Sequence, residues 1–356
     1  MARAALTIDL DAICANWRAL DALSAAECET AAVLKADAYG CGAARVGPAL
    51  ARAGCRRFFV ALAEEGAELR AALGPEPAIY VLSGLLPGDA ALIREADLCP
   101  VLNSVEQIRA MSADLPGQSC AVQFDTGMNR LGLEPADLAP AIVALEKLRP
   151  MLLLSHLACA GPQDHPMNPA QRDTFTAMAL ARPDLARSLS ATGGILLGAP
   201  YHFEMTRPGI GLFGGLPFAA ANPVVHLSLP VIQTRSLEPG EAVGYGAAWQ
   251  ARRPARVATL SAGYADGLIR ALGDAPKTQP VYAFAGEIAC PVIGRVSMDL
   301  LTVDVTELPE PPDRLDILCT HQGVDALGAA ANTIGYEILT SLGSRYARHY
   351  KGGEGS

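Results

Sequence analysis

A lysine that closes a buried strand, a histidine inside another and two arginines just past the ends of two more are the residues best suited to chemistry in this chain. Lys35 ends the apolar run TAAVLK, His156 lies in LLLSHLA, Arg130 follows the loop after CAVQFD, and Arg207 stands in the turn after HFEM. Desolvation at a buried strand end favours the neutral amine of a lysine, the form that attacks an aldehyde, so Lys35 has the setting of a Schiff-base carrier. Taken singly, Lys35 also reads as a strand-end lysine whose stem covers apolar surface, and His156 as a hydrogen-bonded core histidine. Their joint placement at strand ends puts them on one face and favours the catalytic reading.

The segment RPGIGLFGG carries Gly209, Gly211 and Gly214 at the G-x-G-x-x-G spacing of a dinucleotide fingerprint. It comes late in the chain, opens no clear helix and lacks a βαβ unit with an acidic ribose partner. A glycine-rich turn remains, either a plain connection or a place where backbone N–H groups approach a single phosphate.

The elements that must position these groups recur regularly. Eight apolar runs of β type fall at 30–36, 57–63, 78–84, 98–104, 120–125, 151–158, 188–194 and 201–210. Most gaps between them carry helical periodicity, as in EEGAELRAAL, SVEQIRAM and PAQRDTFTAMALA. Strand and helix alternating eight times predict a (β/α)8 barrel, whose chemistry gathers where strands end and βα loops begin. The last gap is too short for a full helix. From about Asn222 the pattern changes to alternating apolar and polar residues in VVHLSLPVIQTRSL, PARVATLSAG, PVYAFAG and CPVIGRVSMDLLTVDV, which predicts a mainly antiparallel β domain.

Length and composition agree with two such domains: 356 residues, 51% hydrophobic and 18% charged, suit large packed cores. The net charge of -9 has the wrong sign for holding a nucleic acid backbone. Nine cysteines fall singly, without C-x-x-C pairs or histidines at ligand spacing, and read as small buried residues in a reducing compartment. No metal site is expected from the six histidines, and no run approaches a membrane span or a secretory signal, so the default expectation is a cytoplasmic protein.

Seven segments carry a family resemblance: VLKADAYGCG around Lys35 and Tyr39, DTGMNRLG around Arg130, SHLACA at His156, RPGIGLFG at Arg207, GYADG at Tyr264, GRVSMD at Met298 and Asp299, and IGYEILTSLGSRYAR near the end. In this order, over nearly the whole chain, they resemble the bacterial alanine racemases, fold-type III pyridoxal-phosphate enzymes with a barrel followed by a β domain. The resemblance implies a strand at 1–10 that returns to the β domain, a cofactor-binding barrel over 11–221, and a β domain over 222–356, whose closing Gly-Gly-Glu-Gly-Ser reads by its composition as a frayed tail. It implies a homodimer in which Tyr264 enters the partner's barrel.

By the same resemblance Lys35 is the Schiff-base lysine and one acid/base group, with Tyr264 the other on the opposite face. Removing an α-proton from one face and returning it to the other requires two such groups. A free tyrosine, with a pKa near 10, is a poor base at neutral pH and needs a positive neighbourhood. In the family this comes from a histidine backed by an arginine, matching His156 and Arg207. Arg207 is also implied to donate to the pyridine nitrogen; because a guanidinium keeps its proton, the electron sink is weaker than one paired with a carboxylate. Arg130 and the backbone of Met298 are the implied substrate contacts, and Tyr39, Thr192 and the backbone of Gly209 and Ile210 the implied phosphate contacts.

Three departures stand out. Some members carry a carbamylated lysine where this chain has Gln123, so either a direct Gln123 to Arg130 hydrogen bond or a bound anion is expected in its place. Ala191-Thr192 replaces a frequent Asn-Ser, leaving Thr192 to supply the hydroxyl. Ser344 replaces a phosphate-binding tyrosine, and that contact is left unassigned. The resemblance implies interconversion of L- and D-alanine for peptidoglycan synthesis or alanine catabolism. A broader racemase acting on serine or other small amino acids, a decarboxylase on the related barrel, and a non-enzymatic pyridoxal-phosphate regulatory protein are the alternatives. The β domain with its tyrosine argues against the last.

Overall fold

A computed structural model describes residues 4–273, 280–310 and 312–353. The chain divides into two units, one of residues up to Ala12 together with Phe213–Gly353, the other of Ile13–Leu212.

In the second unit seven parallel strands pair in sequence order: Ala32–Val33, Arg57–Val60, Ala78–Val81, Cys99–Leu102, Ser119–Gln123, Arg149–Leu154 and Ala186–Ser188. Phe58, Phe59 and Val60 are all fully buried, as expected of parallel strands covered on both faces. Phe59 stacks on Tyr80 with ring centroids 4.6 Å apart. Helices such as Ala43–Ala53, Ala63–Leu73, Val105–Asp114 and Met167–Ala179 make the return connections. Ser104, which predicts a helix start in the sequence, caps Val105–Asp114 by accepting the Gln107 N–H at 3.2 Å.

The eighth position is much shorter than the run 201–210. Only Met205–Thr206 is strand, paired in parallel with Glu29–Thr30. The run 188–194 likewise gives way to helix at Thr192–Leu196. Closure is nonetheless made on both sides: the Ala31 and Val33 N–H groups donate to the Thr206 and Pro208 carbonyls, both at 2.9 Å, and the Arg207 N–H donates to the Ser190 carbonyl at 2.8 Å. The ring of eight is therefore completed by the segment Met205 to Pro208, with Arg207 inside it. Between the last two strands stand only the five-residue helix Thr192–Leu196 and the turn Ala199–Tyr201, which accounts for the short gap.

The other unit is built on an eight-stranded sheet in the order Ala255–Leu260, Leu301–Asp304, Ile288–Ile293, Tyr282–Ala285, Arg314–Leu318, Val225–Leu237, Ala5–Asp9 and Ala347–Lys351. The long strand Val225–Leu237 shifts register between Val231 and Gln233 and pairs again with Ala255–Leu260, closing six strands into a ring. The pairs are antiparallel except Ala5–Asp9 with Ala347–Lys351. Of the tail expected to fray, Gly353 is tied by its N–H to Asp11 at 2.9 Å, and residues 354–356 lie outside the described residues.

Candidate active site

Lys35 begins a turn that its sequence does not announce. Ala36, Asp37 and Ala38 have φ of 53, 53 and 54° and Tyr39 a φ of 55°, forming one left-handed helical turn of four non-glycine residues. Each such residue costs roughly 1–2 kcal/mol, so the turn must be held from outside. Glu65, in the first turn of the helix Ala63–Leu73, holds it: one carboxylate oxygen accepts the Ala36 N–H at 2.7 Å and the other accepts the Ala61 and Leu62 N–H groups at 2.7 and 3.3 Å. Asp37 secures the far end by accepting the Ala43 N–H at 2.7 Å. The turn also carries buried Tyr39 so close to Gly209 that a methyl on Gly209 would overlap the tyrosine hydroxyl.

Two charges act on Lys35, the guanidinium of Arg130 and the carboxylate of Glu65. Burial, with the Arg130 charge beside it, holds the Lys35 ammonium below the usual lysine range against the opposing pull of Glu65. Burial pushes the His156 imidazole down to about 3, helped by the charges of Arg207, Arg130 and Lys35. Burial brings the Arg207 guanidinium down to about 10. Lys35, Arg130, His156 and Arg207 are thus electrostatically coupled, and the structure brings these four residues of the sequence analysis together.

Arg207 is fixed from two strands. One terminal nitrogen donates to the Ser155 carbonyl at 2.7 Å and the other to the Ser188 hydroxyl, which itself donates to the Met205 carbonyl at 2.6 Å. Its guanidinium lies 5.8 Å from the Phe59 ring centroid. Thr192 Oγ1 accepts the Gly209 and Gly211 N–H groups at 3.2 and 3.3 Å, joining the first turn of one short helix to the glycine segment.

Two positioning residues escaped the sequence reading. Buried Gln171 donates to the His156 carbonyl at 3.0 Å and to Thr126 Oγ1 at 3.2 Å, while its own carbonyl accepts the Ala158 N–H at 2.8 Å. Its amide therefore brackets the histidine and links it to the loop that carries Arg130. Asp125 builds that loop: Oδ1 accepts the N–H groups of Gly127, Met128 and Asn129 at 2.8, 3.0 and 3.1 Å, and Oδ2 that of Arg130 at 3.2 Å. The Asp-x-Gly spacing signals such a loop; nothing in the helical pattern around Gln171 signals its inward turn.

The expected direct bond from Gln123 to Arg130 is not formed. Gln123 Nε2 donates instead to the Leu131 carbonyl at 3.0 Å, and no hydrogen bond joins it to the Arg130 side chain among the described residues. The Leu131 carbonyl accepts from the amide nitrogen and orients the side chain; the oxygen, the one atom that could accept from a guanidinium, makes no bond to Arg130 among the described residues.

In the β unit, Tyr264 opens the three-residue turn Tyr264–Asp266. Its N–H donates to the Ser297 carbonyl at 3.0 Å and that of Ala265 to the Met298 carbonyl at 2.9 Å, so this turn is laced to the segment that carries Met298. Tyr264 is 42% exposed and Met298 54%. Among the described residues no cluster of histidine, cysteine or acidic side chains could hold a metal ion, and no helix is long and apolar enough to cross a membrane.

The family described as "Alanine racemase, N-terminal domain" matches residues 8–217, and "Alanine racemase, C-terminal domain" matches 224–350. A curated alanine racemase from Cereibacter sphaeroides (strain ATCC 17025 / ATH 2.4.3) is 61% identical over 351 residues, covering 98% of this chain and 99% of that one. The chain belongs to the alanine racemase family. Another alanine racemase, from Rhizobium meliloti (strain 1021), is 42% identical, with 98% of this chain and 97% of that one covered. The crystal structure of alanine racemase from Bartonella henselae, with covalently bound pyridoxal phosphate, superposes with a TM-score of 0.91 at 36% identity, covering 99% of this chain and 100% of that one. The resemblance read from seven short segments therefore extends over both units, and the family's fold is the one observed.

Proposed function

We propose that this chain is a pyridoxal-phosphate-dependent racemase that interconverts L- and D-alanine, with Lys35 and Tyr264 as its two acid/base groups. The gathering of Lys35, Arg130 and Arg207 around buried His156 carries the reading: Arg130 weakens the proton affinity of Lys35 and all three cations weaken that of His156, a surplus of positive charge that calls for an anionic ligand. A phosphorylated aldehyde fits this donor set, and the Gly209 position, where a methyl would strike the Tyr39 hydroxyl, supplies the close cradle a phosphate needs. When bound, the cofactor supplies a conjugated electron sink that acidifies the α-hydrogen of an amino acid.

The residues of the chain then divide the work. Lys35 carries the cofactor and exchanges a proton at Nζ on one face. Tyr264 exchanges a proton at Oη on the other, with His156 and Arg207 assisting it. Arg207 faces the ring nitrogen, Tyr39, Thr192 and the backbone of Gly209 and Ile210 hold the phosphate, and Arg130 holds the substrate carboxylate. The second carboxylate contact falls to the Met298 N–H, because a carbonyl has no hydrogen to donate to a carboxylate. An anion beside Arg130 takes the part that Gln123 does not play.

The working form is a cytoplasmic homodimer with shared sites. The exposure of Tyr264 and Met298 supports this, because a proton-transfer group needs a water-poor site. Borohydride reduction followed by peptide mapping tests the reading: label on Lys35 is expected, and label elsewhere contradicts it. Exchange of the α-hydrogen in deuterated water across a panel of small amino acids then defines the substrate, with alanine expected to react fastest.

A further inference from the structure

We propose that Arg345 is a positioning residue that sets the place of Tyr264 and of the Met298 N–H together. This rests on the reading of Tyr264 as an acid/base group.

The turn that carries Tyr264 is only three residues long and is flanked by Gly263 and Gly267. Neither glycine tolerates a side chain: a methyl on Gly263 would overlap the Ser297 and Met298 carbonyls, and one on Gly267 the Ser341 carbonyl. Such a segment has little stiffness of its own and takes its position from what it is tied to. Arg345 supplies the tie through three hydrogen bonds. Nε and one terminal nitrogen grip both oxygens of Asp266 at 2.6 and 2.7 Å, and the other terminal nitrogen reaches Asp299 at 2.8 Å. Asp266 is buried, ends the Tyr264 turn, and turns Oδ2 back to the Gly263 N–H at 3.0 Å. Asp299 directly follows Met298. The Gly343 N–H donates to the Asp266 carbonyl at 3.0 Å, so the arginine's own segment is registered on the same turn.

One planar guanidinium thus fixes three backbone segments, a task that a lysine's single ammonium cannot perform with the same geometry. Reacting groups must be held to about 3–3.5 Å, and a displacement of about 1 Å lowers a rate about a hundredfold. Arg345 touches neither substrate nor cofactor by this account and acts through Tyr264 and Met298. The consequence is an asymmetry: loosening Arg345 impairs the proton transfer made by Tyr264, from L-alanine, through both Tyr264 and the Met298 N–H, while that made by Lys35, from D-alanine, feels only the smaller loss at the Met298 N–H.

The test compares Arg345→Ala and Arg345→Lys with the unsubstituted protein by two measurements. Amide hydrogen exchange, in the presence and absence of pyridoxal phosphate, is expected to show faster exchange at Tyr264 and Ala265 by about tenfold or more, with the barrel unchanged. Single-turnover loss of the α-hydrogen in deuterated water is expected to fall about ten- to a hundredfold for L-alanine and no more than about threefold for D-alanine, with the lysine variant intermediate. If Arg345→Ala does not fold, Arg345→Lys alone decides. Equal losses for the two enantiomers, or unchanged exchange at Tyr264 and Ala265, overturn the proposal. If the unsubstituted protein exchanges neither enantiomer, the reading of Tyr264 falls and this inference falls with it.

Discussion

The carboxylate of Glu65 accepts the N–H of Ala36, the residue after Lys35, at 2.7 Å. That bond ties the first turn of a barrel helix to a left-handed turn that L-residues do not adopt unaided, so the position of the lysine depends on an acid 30 residues further along the chain. Glu65→Ala leaves three backbone N–H groups without their acceptor and is expected to cost about 1–3 kcal/mol in denaturant unfolding. The same variant is expected to take up cofactor more weakly, read from the absorbance of the protein titrated with pyridoxal phosphate. A variant with unaltered stability and uptake would show that the turn is held by other means.

Gly209→Ala tests the cradle. The added methyl overlaps the Tyr39 hydroxyl, and because Tyr39 is buried it has little room to yield. Affinity for pyridoxal phosphate is expected to fall by about tenfold or more, the loss of roughly one good hydrogen bond, while the β unit keeps its stability. Binding equal to that of the unsubstituted protein would remove Tyr39 and Gly209 from the phosphate site.

His156 supplies a pH prediction. Burial and three nearby cations push its imidazole down to about 3, below the ordinary value near 6.5 that it regains on unfolding. The unfolded chain therefore binds the proton more readily, and the contribution of this histidine to stability is present above pH 6.5 and is lost as the pH falls from there toward 3. In nitrogen-15 spectra its ring is expected to stay neutral between pH 5 and 8. A His156→Gln variant is expected to lose less stability on acidification than the unsubstituted protein; a ring that titrates near 6.5 would contradict the coupling.

Lys35, His156 and Arg207 were legible because an apolar strand that ends in a polar residue leaves few bland explanations when three such ends share one face. The left-handed turn was not: Ala36 and Ala38 are residues that ordinarily avoid positive φ, and what compels them is a carboxylate distant in sequence. Gln171 lies in a helix rich in polar residues, where periodicity does not separate an inward amide from a solvated one. The eighth strand was legible as a run of ten residues, but only Met205–Thr206 form regular strand, with ladder bonds at Arg207 and Pro208 just before the glycine segment turns away. Tyr264 came only from the resemblance, since a short turn between β strands has no pattern that marks a proton-transfer group. Of the two arrangements expected beside Arg130, a Gln123 hydrogen bond or a bound anion, the first is not formed: Gln123 donates its amide to the Leu131 carbonyl instead.

The central claim is that Lys35 and Tyr264 act on opposite faces of one substrate. It is tested most directly by single-turnover loss of the α-hydrogen in deuterated water from L- and D-alanine, with Tyr264→Phe compared with the unsubstituted protein. The substitution is expected to slow exchange from L-alanine by about a hundredfold or more while exchange from D-alanine, made by Lys35, is largely kept. An equal loss for both enantiomers would contradict it.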